Sequence, residues 1–362
     1  MKLKTVLPLA LTLAATVTCG AAETEGEPMP GTPAPEIPVY GPERWINSEP
    51  LTVEVLRGRL VLVDFWEYTC VNCLRTLPYL REWNRRYGDL GLVIIGVHDP
   101  EFDFGREREN VERAVEELDI DWPVLLDNDF ELWRRYANNW WPRKILVNPE
   151  GVIIHDHIGE GGYGKTEEII QEEIAKLHPG VELPPLMEPV NPHDKPGAVC
   201  FPATPELYAG YTRGRYGHPV EMDLEARYEP VAAHEVHRAY LEGDWRVEGG
   251  RLLHVSETEP AGDRVVIRCR ATEVNAVLHP EGDRPFRVYA LVDGEPITET
   301  DAGADVQWDA GGRSYVVVDS GRMYRLLDAP TYADRELALF ATGDDFGLYA
   351  FTFGACVEGP GE

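Results

Sequence analysis

The chain has little positive charge. Lysine and arginine together number 34 against 63 aspartate and glutamate residues, which gives a formal net charge of -29. A general nucleic-acid binder needs a basic face to neutralise phosphates, so this deficit excludes that class of protein. The acidic excess is typical of a solvated, self-repelling surface, and it would also suit a cationic partner.

Apolar runs long enough to cross a bilayer are not evident either. The apolar run that follows Met1-Lys2-Leu3-Lys4 ends at Val17, which is too short for a spanning helix. Two lysines, a short apolar core and small residues instead predict a secretory signal over residues 1–22. Two processing schemes stay open: lipidation of Cys19 or cleavage after Ala22. Both predict an exported protein, either periplasmic or anchored to the membrane as a lipoprotein.

Cysteine is used sparingly. The chain has six, and only Cys70 and Cys73 form a Cys-x-x-Cys pair. A structural zinc site needs a second pair of ligands. Cys200, Cys269 and Cys356 stand alone and do not supply that pair. The pattern therefore predicts a redox-active pair that needs neither a metal nor a separate cofactor.

The pair lies where a strand gives way to a helix. The apolar, β-branched stretch 61–66 predicts a buried strand. Leu74 and Leu77 have the spacing of one helix face. Cys70 then begins the helix, where unpaired N–H groups and the helix dipole favour the attacking thiolate. Cys73, one turn deeper, is placed to resolve the mixed disulfide.

Several side chains flank the pair. Trp66, Trp140 and Trp141 either pack in the core or form an apolar rim that accepts a protein substrate, and we assign Trp66 and Trp141 to the substrate groove. Glu67 lies in the turn before Cys70, where a close carboxylate would raise a thiol pKa. Because such turns are usually open to solvent, we expect Glu67 to be solvated.

Val63-Asp64-Phe65-Trp66 followed by Cys-x-x-Cys resembles thioredoxin. The resemblance implies that Asp64, six residues before the first cysteine, is buried behind the second cysteine and moves its proton. It also implies that Pro142 is a cis-proline that faces the disulfide and shapes a peptide groove. An ordinary trans proline at the start of a strand is the alternative.

Further motifs narrow the resemblance. Three segments are similar to the extracytoplasmic thioredoxin-like region of DipZ-type proteins. They are residues 66–80, Gly96-Val97-His98 and Gly159-Glu160-Gly161. In that family a membrane electron-transfer domain precedes this region, and a carbohydrate-binding-module-like domain follows it. Both soluble parts are recognisable over residues 36–358, whereas the membrane part is missing from this sequence. The resemblance thus implies a separate membrane electron donor of CcdA/DsbD type.

The sequence divides into segments of different character. Residues 23–40 read as a disordered tether. Residues 41–178 alternate strand and helix patterns, which predicts an α/β thioredoxin-like domain whose central mixed sheet is flanked by helices and carries a strand–helix insertion. Residues 179–204 form a semi-rigid, Pro-rich linker. Short strand patterns separated by turns over residues 205–358 predict an all-β sandwich.

The second domain offers few chemical signals. The resemblance implies a carbohydrate-binding-module-like domain with a glycan as its ligand, although core packing is the alternative role for its aromatic residues. The aromatic candidates for sugar stacking are Trp245, Trp308, Tyr315 and Tyr324. Cys200 and Cys356 bracket the domain and would pair as a structural disulfide in an oxidising compartment, unless they remain two separate thiols.

These features predict an exported thiol–disulfide oxidoreductase that reduces disulfides of envelope proteins. Apocytochromes are one possible substrate class, which would place the protein in cytochrome c biogenesis. A thiol peroxidase is the first alternative, but Thr69 lacks the proline that normally stands two residues before the threonine of that motif. The second alternative is a glycan-binding envelope protein in which the dithiol is only structural.

Overall fold

The structure is a computed structural model that describes residues 28–256, 262–282, 284–343 and 345–357. The predicted signal sequence, the Cys19 lipidation site and the first residues of the predicted tether lie outside the described residues. Within the described part of the chain, no helix combines the length and the apolar character that crossing a bilayer requires.

The first domain is built on a six-stranded mixed sheet. Its elements are β1 (Trp45–Ile46), α1 (Val53–Leu56), β2 (Leu60–Trp66), α2 (Val71–Tyr87), β3 (Leu92–His98), α3 (Arg108–Glu117), β4 (Val124–Leu126), α4 (Glu131–Arg135), β5 (Arg143–Val147), β6 (Ile153–Ile158) and α5 (Tyr163–Leu177). Across the sheet the order is β1-β4-β3-β2-β5-β6. Strands β2, β3 and β4 are parallel, while β1, β5 and β6 run antiparallel to their neighbours. The predicted α/β architecture with a strand–helix insertion is confirmed.

Strand β2 is the centre of this sheet, since every one of its residues is buried. Successive side chains point to opposite faces of a strand. Leu62 and Trp66 join a core with residues of α2 and α5, whereas Val63 and Phe65 join the core on the other face. Asp64 has the same parity as Leu62, so it points toward the helix that carries the cysteines.

The predicted tether is partly docked. The backbone N–H of Gly31 donates to Ile153 O at 2.8 Å, and that of Ala34 donates to Gly151 O at 2.9 Å. Ile37 is buried in the core of the first domain. These contacts extend the domain to about Gly31 rather than residue 41, because apolar side chains within the Pro-rich stretch find a place on the sheet.

The second domain is all β. Its strands are β7 (Val199–Cys200), β8 (Leu207–Tyr208), β9 (Glu225–Tyr228), β10 (Arg238–Val247), β11 (Leu252–His254), β12 (Arg264–Pro280), β13 (Phe286–Val292), β14 (Glu295–Pro296), β15 (Gln307–Trp308), β16 (Ser314–Val318), β17 (Arg322–Phe340), β18 (Phe346–Gly354) and β19 (Cys356–Val357). Those from β8 to β18 form one 11-stranded network. The predicted all-β class is confirmed as one large antiparallel sheet system.

Strand β12 is longer than the sequence predicts. Strand β12 pairs with β17 along most of its length, with β10 through its first part and with β18 through its second part. The register shifts between Ala271 and Glu273, and again between Val274 and Asn275. Such bulges break the two-residue alternation, which is why the sequence pattern predicts a strand over residues 264–271 alone.

The Pro-rich linker leads along the first domain to a short ribbon. Met187 N–H donates to Glu167 at 2.7 Å, and Val190 N–H donates to the Tyr79 hydroxyl at 2.9 Å. Strand β7 then pairs with β19, which places Cys200 directly opposite Cys356. The two are joined by a disulfide in the structure, so the ends of the second domain are tied together.

The two domains pack against each other beside the redox pair. The Phe104 ring stacks on His279 with centroids 5.0 Å apart and meets Tyr349 edge-on at 4.9 Å. The Tyr208 hydroxyl donates to Glu101 at 2.8 Å. The second domain therefore shares a buried apolar cluster with the turn and the helix that carry the redox pair.

Candidate active site

The two cysteines differ in exposure. Cys70 is the N-cap of α2, and its sulfur accepts a hydrogen bond from Cys73 N–H at 3.2 Å. The sulfur atoms lie 2.6 Å apart. Cys70 is partly exposed, whereas Cys73 is 0% exposed. A substrate can therefore reach the first sulfur but not the second, which lies ready to close a ring with it.

Asp64 lies in the buried space behind Cys73. Its carboxyl is 1% exposed, and burial raises its pKa to about 7, against the lowering effect of Lys144. Burial also raises the pKa of the Cys73 thiol well above its ordinary value, and the charges of Cys70 and Asp64 act in the same direction. The buried position of Asp64 and its effect on Cys73 agree with the role that the resemblance to thioredoxin implies for it.

Lys144 is a member of the site that the sequence analysis missed. It lies opposite Asp64 in the β2–β5 register and is 1% exposed. Its Nζ donates to Gly159 O at 3.2 Å. Burial lowers its pKa, while Asp64 and Cys73 act in the opposite direction. The available signal was a lysine next to the apolar run Ile145-Leu146-Val147, in the strand that follows the proline turn.

The proline turn has the predicted peptide geometry. The Trp141–Pro142 bond is cis. Trp141 packs against Trp133 with centroids 4.6 Å apart and is partly buried, so it stays a candidate for the groove. Trp66 is 1% exposed and meets His98 edge-on at 5.5 Å. Its assignment to an open groove is therefore wrong, because the inward-facing parity of β2 places it in the core. Trp140 is the exposed tryptophan of this turn.

Glu67 does not face solvent, contrary to our expectation. It is 0% exposed, and its Oε2 accepts hydrogen bonds from the backbone N–H and the hydroxyl of Thr69. Its Oε1 lies 3.7 Å from His98 Nε2. The loop around Gly105 closes over the carboxylate. Contacts with residues distant in sequence therefore bury a turn that an isolated strand-to-helix junction would expose.

A cleft between the domains begins at the first turns of α2. Its volume is about 950 Å³, and Asn72, Arg75, Glu160 and Glu273 are among its lining residues. Arg75 donates to Glu160 at 3.4 Å and to Glu273 at 2.5 Å. The Cys200–Cys356 disulfide lines the same cleft. Both domains thus form the walls next to the cysteine-bearing helix.

The aromatic candidates for sugar stacking are mostly internal. Trp245, Tyr315 and Tyr324 are buried. Trp308 is exposed, and its indole N–H donates to Ile297 O at 2.8 Å. In the described residues, no group of three or more His, Cys, Asp or Glu side chains is arranged to hold a metal ion.

Two protein families match the chain, one over each domain. Residues 30–173 match the Redoxin family. Residues 204–354 match the family described as "Thioredoxin like C-terminal domain". With the sheet order and the helices described above, the first domain is thus similar to the Redoxin family, and the second domain is similar to that C-terminal domain.

Curated relatives agree with the first match. The chain is 38% identical to protein DipZ of Mycobacterium tuberculosis over 169 residues, which is 46% of this chain and 24% of that protein. It is 26% identical to thiol-disulfide oxidoreductase ResA of Halalkalibacterium halodurans over 37% of this chain and 71% of that protein. It is 24% identical to thiol-disulfide oxidoreductase YkuV of Bacillus subtilis over 40% of this chain and 95% of that protein. The chain thus spans about a quarter of the DipZ length.

Proposed function

Since the chain joins a thioredoxin-like Redoxin domain to a thioredoxin-like C-terminal domain, we propose that it is an exported thiol–disulfide oxidoreductase that reduces disulfides of envelope proteins. One observation carries the proposal. A partly exposed sulfur begins a helix, and a fully buried sulfur lies 2.6 Å behind it. That arrangement suits exchange with a large disulfide-bonded partner.

The reaction proceeds in two exchanges. Cys70 attacks a substrate disulfide, forms a mixed disulfide and releases the first substrate sulfur as a thiolate. Cys73 then transfers its proton to Asp64, and its sulfur attacks Cys70. The bond between Cys70 and the substrate breaks, and the second substrate sulfur leaves. The substrate gains two electrons and becomes a dithiol, while Cys70 and Cys73 end as a disulfide.

The residues around the two cysteines support these separate roles of Cys70 and Cys73. Asp64 titrates near neutral pH, since burial raises its pKa to about 7, so it can take a proton and return it. The turn that contains Pro142 and the exposed Trp140 is where we place an extended segment of substrate, as the resemblance to thioredoxin implies. Asp64 thus serves as the proton acceptor and Pro142 as part of the peptide groove.

The oxidised pair must be reduced again. Outside the cytoplasm there is no reducing thiol buffer comparable to that of the cytosol, so we assign this step to a membrane donor of CcdA/DsbD type. Export follows from the predicted signal over residues 1–22, with Cys19 as the lipid anchor. Cell fractionation of the wild type and of Cys19→Ser tests both: release of only the variant from the membrane supports lipidation, and a cytoplasmic wild type refutes export.

Insulin-disulfide reduction with a small dithiol as the electron source tests the activity. We expect turnover by the wild type, none by Cys70→Ser and trapped mixed disulfide with Cys73→Ser. Cys269→Ser is the matched control, since Cys269 is buried in the other domain. Full activity of Cys70→Ser would refute the proposal. Rapid peroxide consumption without disulfide reduction would favour the peroxidase instead.

We propose that the second domain is a binding module that holds a substrate, or a component of the envelope surface, next to the cleft. A glycan ligand has support from the exposed Trp308. A glycan array with the wild type and Trp308→Ala tests this role: retention lost in the variant supports it, and no retention of any glycan by the wild type refutes it.

A further inference from the structure

Lys144 is the most unusual charged residue of the first domain. It is 1% exposed and lies in β5, whose five residues are all buried. Lysine is almost never fully buried unless it is paired. In the described part of the chain its hydrogen bond goes to the Gly159 carbonyl, and no ion pair is formed. Burying an unpaired ammonium costs desolvation free energy. We therefore expect this charge to have a function.

Its surroundings converge on the redox pair. Asp64 lies opposite it on β2, and the charges of Cys70 and Cys73, at the start of α2, act on its pKa in the upward direction. Glu160 follows the carbonyl that it contacts, and the Tyr163 ring lies 5.8 Å from Nζ at the start of α5. On β6 the register neighbour is His157, whose ring is bonded to Glu160 O at 3.1 Å.

We propose, building on the function above, that Lys144 is a positioning residue whose buried ammonium stabilises the Cys73 thiolate during the resolving step. The attacking thiolate forms in a space that water does not reach, so it needs a fixed positive charge. Lys144 supplies this charge next to the carboxylate that removes the proton. It takes no part in bond making or breaking.

Loss of this charge has a defined direction. A positive charge nearby lowers the pKa of a thiol, so its removal raises the pKa further. Asp64 in its anionic form would have the opposite effect on Cys73. The thiolate is therefore favoured when Lys144 is charged at the moment that Asp64 has been neutralised by the proton it accepts.

A series of hydrogen bonds links the surroundings of Lys144 to the second domain. Gly159, whose carbonyl accepts from Lys144, is followed by Glu160, which accepts from Arg75. Arg75 is also bonded to Glu273 of the C-terminal domain. The lysine is thus positioned by a short polar chain that begins in the other domain and ends beside the buried cysteine.

The test is a titration that does not depend on catalysis. In the full-length Cys70→Ser protein, thiolate absorbance near 240 nm follows ionisation of Cys73, with Cys19→Ser and Cys269→Ser added so that neither of the other two unpaired cysteines contributes. Lys144→Met should shift the midpoint upward by about one pH unit or more, and Lys144→Arg should restore much of it. Lys165→Met is the matched control, since Lys165 is an exposed lysine of the same domain.

A second measurement protects the test against a misfolded variant. Single-turnover reduction by the Cys70/Cys73 protein separates mixed-disulfide formation from its resolution, and Lys144→Met should slow only the second phase, about tenfold, as one pH unit of thiolate fraction implies. An unchanged midpoint or an equal slowing of both phases would overturn the role of Lys144. If the wild type reduces no disulfide, the proposed function fails while the titration still decides the lysine.

Discussion

Arg75, on the helix that begins at the redox pair, donates a hydrogen bond at 2.5 Å to Glu273 of the C-terminal domain. The same guanidinium also reaches Glu160 of the loop beside Lys144. Both side chains of the interdomain pair are mostly buried, with 16% and 19% of their surface exposed. The active-site helix is therefore fixed in part by a residue from a different domain.

This ion pair should contribute measurably to stability. Glu273→Gln leaves the Arg75 charge buried with one weaker partner, and we expect the free energy of unfolding to fall by about 3 kcal/mol. Arg85→Ala is the control, because Arg85 pairs with Glu82 on the same helix but is 71% exposed, and its loss should cost under about 1 kcal/mol. Urea denaturation measures both, and equal small losses would contradict the role assigned to Glu273.

The domain interface should depend on Phe104. Its ring is buried between His279 and Tyr349, so Phe104→Ala should cost about 3 kcal/mol and loosen the docking of the domains. Limited proteolysis in the linker at 179–204 reports this as faster cleavage. Trp308→Ala removes an exposed ring of the second domain outside the linker and serves as the control, and equal cleavage rates for both variants would speak against a docked interface.

The pH dependence of resolution should follow Asp64. Since its folded pKa is about 7, the carboxylate that accepts the Cys73 proton is formed as pH rises through 7, and the resolving rate should rise in parallel. Asp64→Asn should remove this inflection and slow resolution about a hundredfold. Asp103→Asn changes a fully exposed carboxyl and should leave the profile intact. If the inflection persisted in Asp64→Asn, it would have to arise from the titration of another group.

The same carboxyl makes a prediction for stability. Its pKa rises from 3.8 to about 7 on folding, so the folded state binds more protons between those values, and stability falls as pH rises through this interval. Asp64→Asn removes that loss. Relative to the wild type it should gain up to about 4 kcal/mol between pH 3 and pH 8. Thermal or urea denaturation across this range checks it, and a difference independent of pH would contradict the assignment.

The motif around Cys70 was predictable because its residues are adjacent in sequence. The apolar strand, the turn and the helix spacing around Cys70 all appear within one short stretch, and the resemblance to thioredoxin adds Asp64 and Pro142. The burial of Glu67 was not foreseen, and Trp66 was assigned to the groove although core packing was the open alternative. Each depends on which neighbours cover the turn, and Gly105 is far from Glu67 in sequence.

Lys144 and Arg75 show the same limit more clearly. A lysine at the start of a strand is usually exposed, and only the opposite register position of Asp64 makes it part of the site. The partner of Arg75 is 198 residues away, and no local pattern encodes such a contact. The strand β12 was cut short for a related reason, because a bulge at Ala271 breaks the alternation that sequence patterns rely on.

The division between an attacking and a resolving sulfur is tested most directly by trapping. Cys73→Ser protein is mixed with a disulfide-bonded substrate, and the covalent complex is mapped by mass spectrometry. We expect a stable complex joined through Cys70, and none with Cys70→Ser. A complex joined elsewhere, or no complex while disulfide reduction continues, would contradict it.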